Sequence, residues 1–178
     1  MAIAYVEASG TTAPDDWTLQ AGASKVAAVS GADDEATSYI RSGTTSQTYQ
    51  TFTCIPALAT GDVITNMTVH ARCRRGGAND CAFRIGYSFT PSGGGTQTGE
   101  SVLNALTAGV NWTDFTFADG PLSVVWGSGL TIWIRNTQSR NLDCTTIYAE
   151  ITYTPAATVA AGPLVNAPRL KSKLRGLV

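Results

Sequence analysis

Apolar and polar residues alternate along a long stretch near the middle of the chain. The run from Val63 to Arg74 has a period of two, with Val63, Met67 and Val69 on its apolar side, and a second alternating run covers Ala82 to Phe89. A period of two places successive side chains on opposite faces of a β-strand. Only a short glycine-containing segment separates the runs. We therefore predict that they are adjacent antiparallel strands of one β-hairpin.

Shorter runs of the same kind occupy most of the remaining chain up to residue 154. They cover residues 3–7, 25–29, 37–41, 49–54, 100–107, 112–117, 130–136 and 144–154, and clusters of Gly, Pro, Asn, Asp and Ser stand between them. For 100–107 the spacing of Val102, Leu103 and Leu106 also suits one helical turn, although the flanking residues favour a strand. Many short strands with turn signals every 8 to 12 residues, roughly, are typical of sandwiches. We predict an all-β fold, a single jelly-roll-like antiparallel β-sandwich with an extended C-terminal arm.

The apolar positions of these runs predict the core of the sandwich. We expect the following side chains to be largely buried: Tyr39, Ile40, Phe52, Val69, Phe83, Ile85, Phe115, Ile132, Ile134, Ile147 and Ile151.

Charge divides the chain into a body and an arm. Residues 1–154 contain eight Lys or Arg residues and all thirteen acidic residues, whereas 155–178 contain four basic residues and no acid. We predict a jelly-roll domain over 1–154 and an arm over 155–178 that lies across a neighbouring subunit or the shell beneath, and we expect a homo-oligomer. The partner-binding residues of the arm would be Leu164, Arg169, Leu170, Lys171, Lys173, Leu174, Arg175 and Leu177.

The same composition argues against two classes of partner. An acidic body is a poor ligand for nucleic acid, because nucleic-acid affinity comes largely from basic residues on phosphates. No run of about 18 apolar residues exists, so we expect no membrane span. No N-terminal segment with basic and then apolar residues precedes a small-residue cleavage site, so we also expect no signal peptide, and synthesis in a cytosol.

The four cysteines lie in or beside alternating runs, and none has the C-x-x-C spacing of a zinc site. One interpretation is four buried free thiols. The other is a disulfide between Cys73 and Cys81 that bridges the predicted hairpin turn and forms after release into an oxidising medium.

Catalytic chemistry has little support in the sequence. His70 is the single histidine and shares its strand face with Arg72 and Arg74, without the base and orienting acid of a nucleophilic triad. The acidic run 33–35 offers oxygen ligands for calcium, but a solvated turn is the favoured interpretation. We predict no catalytic residues, no metal and no cofactor.

Trp126 and Trp133 are candidates for a ligand or interface surface. Aromatic faces are the usual platform for flat apolar ligand surfaces. Large aromatic residues also occur often at protein interfaces, so a position under a loop or in a subunit contact is the favoured interpretation for Trp133.

The segment 31–42, an acidic turn followed by Tyr39 and Ile40, precedes the strand that contains Val69, Arg72 and Arg74. This order resembles phage-encoded jelly-roll proteins, in which an acidic turn and a Tyr-Ile strand precede a Val-x-x-Arg-x-Arg strand. The resemblance covers residues 15–154. It implies a non-enzymatic virion structural protein made in the host cytoplasm, most simply a capsid decoration or cement subunit that binds other virion subunits of the capsid or tail. The alternative is a carbohydrate-binding jelly-roll module of a phage tail or fibre, with a glycan as its ligand.

Overall fold

The computed structural model describes residues 1–30, 38–107 and 111–157. Its regular elements in these ranges are β-strands. They are β1 (Ala2–Asp15), β2 (Thr18–Ala21), β3 (Tyr39–Arg41), β4 (Thr48–Cys54), β5 (Val63–Arg75), β6 (Cys81–Pro91), β7 (Gln97–Glu100), β8 (Asn104–Leu106), β9 (Thr113–Asp119), β10 (Val124–Asn136) and β11 (Leu142–Thr154). Within the same ranges no helix is long and apolar enough to cross a membrane.

The strands form two layers, sheet A and sheet B. In sheet A, β11 lies between the first half of β1 and the long strand β5, and β9 follows β5 at the edge. The short strands β3 and β2 extend the sheet beside the start of β11. In sheet B, β4 lies between the second half of β1 and β10, and β6 follows β10 with β7 and β8 outside it. All these pairings are antiparallel.

Two strands belong to both sheets. The first half of β1 pairs with β11 and its second half pairs with β4. Likewise, the first residues of β10, Val124 and Val125, pair with β5 before the strand joins β4 and β6. The predicted all-β fold with a jelly-roll-like antiparallel sandwich is therefore confirmed for the body of the chain, whose last strand ends at Thr154.

The core lies between the inner faces of the two sheets. Of the eleven side chains predicted to be buried, nine are buried, and Tyr39 and Phe115 are half-buried. Phe83 on β6 meets Phe115 on β9 edge to face at 4.8 Å between ring centroids, which joins sheet B to sheet A. Full burial of side chains of this size stabilises a fold by about 1.5–3 kcal/mol each before ordering costs.

The predicted hairpin is wrong. Both strands exist, but β5 pairs with β11 and β9 in sheet A, whereas β6 pairs with β10, β7 and β8 in sheet B. The segment between them therefore crosses from one layer to the other. Alternation identifies a strand with one buried face, but it does not identify the strand's neighbours, which depend on pairings distant in the sequence.

Local details also differ from the predictions. At the start of β5 a register shift opposite Thr152 and Tyr153 turns Ile64 inward instead of Val63. Residues 25–29 form a helical turn rather than a strand, since the Ala28 N–H donates to the Ser24 carbonyl oxygen at 2.9 Å. Residues 9–16, predicted as a loop of turn residues after the first strand, instead continue β1 as far as Asp15. The predicted strand 100–107 is divided between the end of β7 and β8.

A buried carboxylate fixes the start of β11. Asp143 is fully buried and accepts two hydrogen bonds from Arg41, at 2.6 and 2.9 Å, and one from Arg74 at 3.1 Å. The Arg74 guanidinium lies 4.4 Å from the ring centroid of Trp112 and 5.1 Å from that of Tyr39. Charge-assisted hydrogen bonds and cation–π contacts of this kind hold strands in one register.

Candidate functional site

The outer face of sheet B carries Trp133 at its centre. The register of the sheet places Thr51 of β4, Trp133 of β10, Gly86 of β6 and Glu100 of β7 in one row across four strands. The neighbouring row contains Tyr49, Arg135 and Arg84. We call these outward-facing residues the sheet-B face: Tyr49, Thr51, Arg84, Gly86, Glu100, Trp133 and Arg135.

The Trp133 indole lies against the backbone of β6. A Cβ atom at Gly86 would overlap the six-membered ring of the indole and also the Gly99 carbonyl oxygen. Only glycine at this position allows the ring to approach the strand so closely. The Tyr49 ring lies 6.0 Å from Trp133 at an interplanar angle of 57°, and both side chains are half-buried. The two rings form an aromatic surface beside the strand backbone.

A polar cluster borders this aromatic surface. Arg135 donates one hydrogen bond to the Tyr49 hydroxyl at 2.7 Å and another to the Glu100 carboxylate at 2.5 Å. Arg84 approaches the second Glu100 oxygen at 3.6 Å and donates to the Ser101 carbonyl oxygen at 3.2 Å. Nε of Arg135 is buried and has no hydrogen-bond partner within the described ranges. The cluster thus holds charged donors and an acceptor at fixed positions next to an aromatic platform.

Hydroxyl groups occupy the other side of Trp133. The next row contains Thr53, Thr131 and Ser88, all half-buried, and the Thr131 hydroxyl donates to the Ser88 carbonyl oxygen at 3.3 Å. The outer surface of sheet B is therefore polar on both sides of its central aromatic residues, whereas its inner surface is mainly apolar. A small number of polar groups around an aromatic surface is the usual composition of a site for a small ligand.

The structure does not support Trp126 as a ligand-binding residue. Its side chain is 6% exposed and packs on Phe89 at 5.5 Å between ring centroids. Trp126 lies where β10 leaves β5 and enters sheet B, and its backbone N–H donates to the Asp62 carbonyl oxygen at 2.7 Å. The sequence pattern separated Trp126 from Trp133 by a turn at 127–129, but the strand continues through this segment and turns Trp126 into the core.

His70 lies on the outer face of sheet A, remote from a recognisable catalytic arrangement. Its ring stacks on Tyr148 at 4.5 Å with an interplanar angle of 7°, and Nε2 lies 3.7 Å from the Glu150 carboxylate. Burial lowers the pKa of His70, and this effect is opposed by the charges of Glu150 and Asp114. The part of the chain that the structure describes contains no cluster of three or more His, Cys, Asp or Glu side chains able to hold a metal ion. The absence of catalysis and of a cofactor stays a prediction.

The four cysteines are buried free thiols. The residue directly across from Cys73 is Cys144 on β11, not Cys81, which follows on the other sheet. The Cys73–Cys81 bridge is therefore not formed, because its premise, a hairpin between β5 and β6, does not hold. Burial raises the pKa of Cys54 to about 12 and that of Cys81 to about 11. Such thiols react slowly at neutral pH.

Several predicted residues lie outside the described ranges. They are all eight partner-binding residues of the arm (Leu164, Arg169, Leu170, Lys171, Lys173, Leu174, Arg175 and Leu177) and the acidic run Asp33, Asp34 and Glu35. Conversely, the structure adds Tyr49, Arg84, Gly86, Glu100 and Arg135 to Trp133. Of these, only Arg135 had a signal in the sequence, since it is two residues from Trp133 on the same strand.

No protein-family model matches the chain, and no curated protein matches it either. Among solved structures it is similar to the CBM22-1 xylan-binding domain of a Paenibacillus barcinonensis protein, with 12% identity, 82% of this chain and 92% of that chain covered, and a TM-score of 0.48. A Clostridium thermocellum endo-1,4-β-D-xylanase with CBM22-1 and GH10 modules has 14% identity and a TM-score of 0.46, and the similarity covers 75% of this chain but only 24% of that chain. The enzymatically active domain of a bacteriophage CBA120 tailspike protein has 10% identity and a TM-score of 0.45, and the similarity covers 85% of this chain and 19% of that chain.

Proposed function

We propose that this protein is a non-catalytic carbohydrate-binding module that holds a sugar polymer on the sheet-B face. The observation that carries the proposal is the Trp133 indole, which lies on Gly86 with Tyr49 beside it and a charged cluster at its edge. A pyranose ring has a nearly flat apolar C–H face that packs on an aromatic ring and a rim of hydroxyl groups that need hydrogen bonds. The sheet-B face offers both kinds of contact.

The polar groups are suited to hydroxyl recognition because they are already held in place. Glu100 accepts from Arg135 and lies near Arg84, so its carboxylate is oriented before a ligand arrives. Arg135 is fixed in turn by the Tyr49 hydroxyl. Fixed groups lose little conformational entropy on binding, which is the main advantage of a preorganised site.

The proposal is tested by electrophoresis of the full-length protein through gels that contain xylan, mixed-linkage β-glucan, mannan or polygalacturonate. We expect one or more polymers to retard the protein and the Trp133→Ala variant to lose at least tenfold in affinity, which corresponds to about 1.4 kcal/mol. The matched control is Tyr5→Ala, which removes a 69% exposed tyrosine from the opposite sheet. Urea unfolding of each variant verifies that the fold is retained.

A second pair of variants tests the position of the indole rather than its presence. Gly86→Ala keeps Trp133 but forces the ring, and the Gly99 carbonyl of β7, away from β6, and we expect it to weaken binding as well while urea unfolding verifies that the fold is retained. Gly93→Ala adds the same methyl group where no atom lies within 4 Å, so it should bind as the wild type does. Failure of all four polymers to retard the wild type, or equal retardation of the wild type and Trp133→Ala, would contradict the proposal.

The capsid decoration hypothesis is a separate proposal, because it depends on the arm. On that hypothesis, in which the arm reaches another subunit, a chain that ends at Thr154 should fold and bind the same polymer, yet fail to bind particles or other virion subunits. If the shortened chain decorates particles as tightly as the full chain at matched salt concentration, the arm has no such role.

A further inference from the structure

The outer face of sheet A carries a group of aromatic and acidic side chains. The register places Tyr5 opposite Glu150, Glu7 opposite Tyr148 and Tyr148 opposite His70. Tyr5 is 69% exposed, and the Tyr148 ring is held flat against His70. We call this surface the sheet-A face and define it by Tyr5, Glu7, His70, Asp114, Tyr148 and Glu150.

Two adjoining cavities make the sheet-A face concave. One, of about 170 Å³, is lined by residues that include His70, Asp114 and Tyr148, and the other, of about 270 Å³, is lined by Tyr5, Glu7, Val29, Thr146 and Tyr148. Because both contain Thr146 and Tyr148, they form one groove from β9 to β1. Its walls offer aromatic rings, methyl groups and carboxylates, together with the guanidinium of Arg72.

The groove, with Glu150 beside it on β11, has negative charge that the described part of the chain neutralises only in part. Asp114 is paired with Arg72 at 2.8 Å, but within the described ranges neither Glu7 nor Glu150 forms an ion pair with a lysine or arginine. The contact of Glu150 is His70, whose pKa burial lowers, so that the imidazole is mostly neutral at pH 7. A ligand that complements this groove is cationic and carries apolar groups.

Such a segment exists in the same chain. Residues 164–178 contain Arg169, Lys171, Lys173 and Arg175, interspersed with leucines and without one acid. Lysine and arginine pair with carboxylates and also bind over tyrosine rings, while leucines pack on ring edges and methyl groups. We propose that this basic arm docks in the groove of the sheet-A face of its own body.

The connection makes docking within one chain feasible. The arm follows β11, the strand that supplies Tyr148 and Glu150, and the Ala156 N–H donates to Asp62 at 2.8 Å just after that strand ends. From there, the twelve residues 157–168 span up to about 40 Å when extended, more than the roughly 20 Å of strand back to Glu150. A tether of about this length gives an effective concentration on the order of millimolar. An arm that binds the groove only weakly as a free peptide would therefore still be docked within its own chain.

A spin label on the arm tests the proposal in the full-length protein. The four native thiols are buried, so a nitroxide reagent labels the Ser172→Cys variant at the new position. We expect the amide signals of Tyr5, Tyr148 and Glu150 to lose more than half of their intensity at about 0.05 M salt and to recover at about 0.5 M, where surface charges are screened. The amide of Trp133, on the opposite sheet, should keep its intensity.

Two controls establish whether the arm docks in this groove and within its own chain. The Glu7→Gln/Glu150→Gln double variant should abolish the broadening, whereas Glu100→Gln, the same change on the sheet-B face, should leave it intact. The second control mixes two samples: one carries the spin label but no isotope, and the other carries the isotope but no spin label. Broadening in this mixture can come only from contacts between chains, and we expect none. Broadening in that mixture, persistence in the double variant or absence of any effect on the sheet-A face would each overturn the proposal.

Discussion

Replacement of Phe83 by alanine tests the packing of the two sheets. Phe83 has no exposed surface and meets Phe115 of the opposite sheet at 4.8 Å and 87°. Loss of the ring removes its transfer free energy and leaves a cavity between the layers, so the expected destabilisation is about 3–5 kcal/mol. The edge-to-face pair with Phe115 accounts for about 0.5–1.5 kcal/mol of this loss.

Urea unfolding at 25 °C measures this change directly. The midpoint should fall with little change in the slope, because the variant exposes nearly the same surface on unfolding. For a chain of 178 residues each kcal/mol corresponds to about 2–4 °C in Tm, which predicts a decrease of roughly 6–20 °C. Ile55→Ala is the control, since Ile55 is 82% exposed and its truncation should change stability by no more than about 0.5 kcal/mol.

A double-mutant cycle with Phe115→Ala isolates the contact between the sheets. The two single changes should not be additive, and the coupling should match the aromatic pair at about 0.5–1.5 kcal/mol. A loss below about 1 kcal/mol for Phe83→Ala, together with a coupling free energy of zero between Phe83 and Phe115, would refute the assignment of Phe83 to the interface between the sheets.

Two further predictions concern ionisable groups. Asp143→Asn should destabilise the protein by about 2–4 kcal/mol, which is at the lower end for a broken buried pair because Arg41 and Arg74 reach solvent. The control is Asp114→Asn, at a carboxylate that is 71% exposed, which should cost less than about 1 kcal/mol in the same urea assay. Equal losses in the two variants would contradict the role of the buried carboxylate. Since burial lowers the pKa of His70 below that of the unfolded chain, the unfolded state binds more protons and stability falls as pH decreases through the histidine range. Between pH 7 and pH 5 the wild type should thus lose more stability than His70→Gln, and equal losses would show that the imidazole is not buried in the neutral form.

The fold class was predictable because alternation is a local property of the chain. Each of the two long central runs forms a strand, and nine of eleven proposed core residues are buried, since one apolar face per strand suffices to assign them. Strand pairing was not predictable in the same way. The partners of β5 are β11 and β9, which lie far away in the sequence, and a nearby run with equal alternation suggested a hairpin that does not form.

The candidate site was predictable only in part, for the same reason. Trp133 and Arg135 share a face because they are two residues apart on one strand. Glu100 and Tyr49 join them through β7 and β4, and Gly86 contributes by having no side chain. A glycine that is needed because its missing side chain leaves room for an indole cannot be told from other glycines in a single sequence. The prediction for Trp126 failed because its strand passes from one sheet to the other, so its orientation is set by tertiary structure.

The pairing of the first and last strands determines how the body would respond to mechanical load. Ala2 lies opposite Tyr153, so the two ends of the folded body are side by side on sheet A. A force that pulled these ends apart would act along the inter-strand hydrogen bonds and break them one pair after another, as in a zipper, instead of shearing them together. Peeling would stop near Glu7, where β1 leaves β11 and its second half pairs with β4. Tension on the ends would therefore open the edge of sheet A while Trp133 and its neighbours kept their positions.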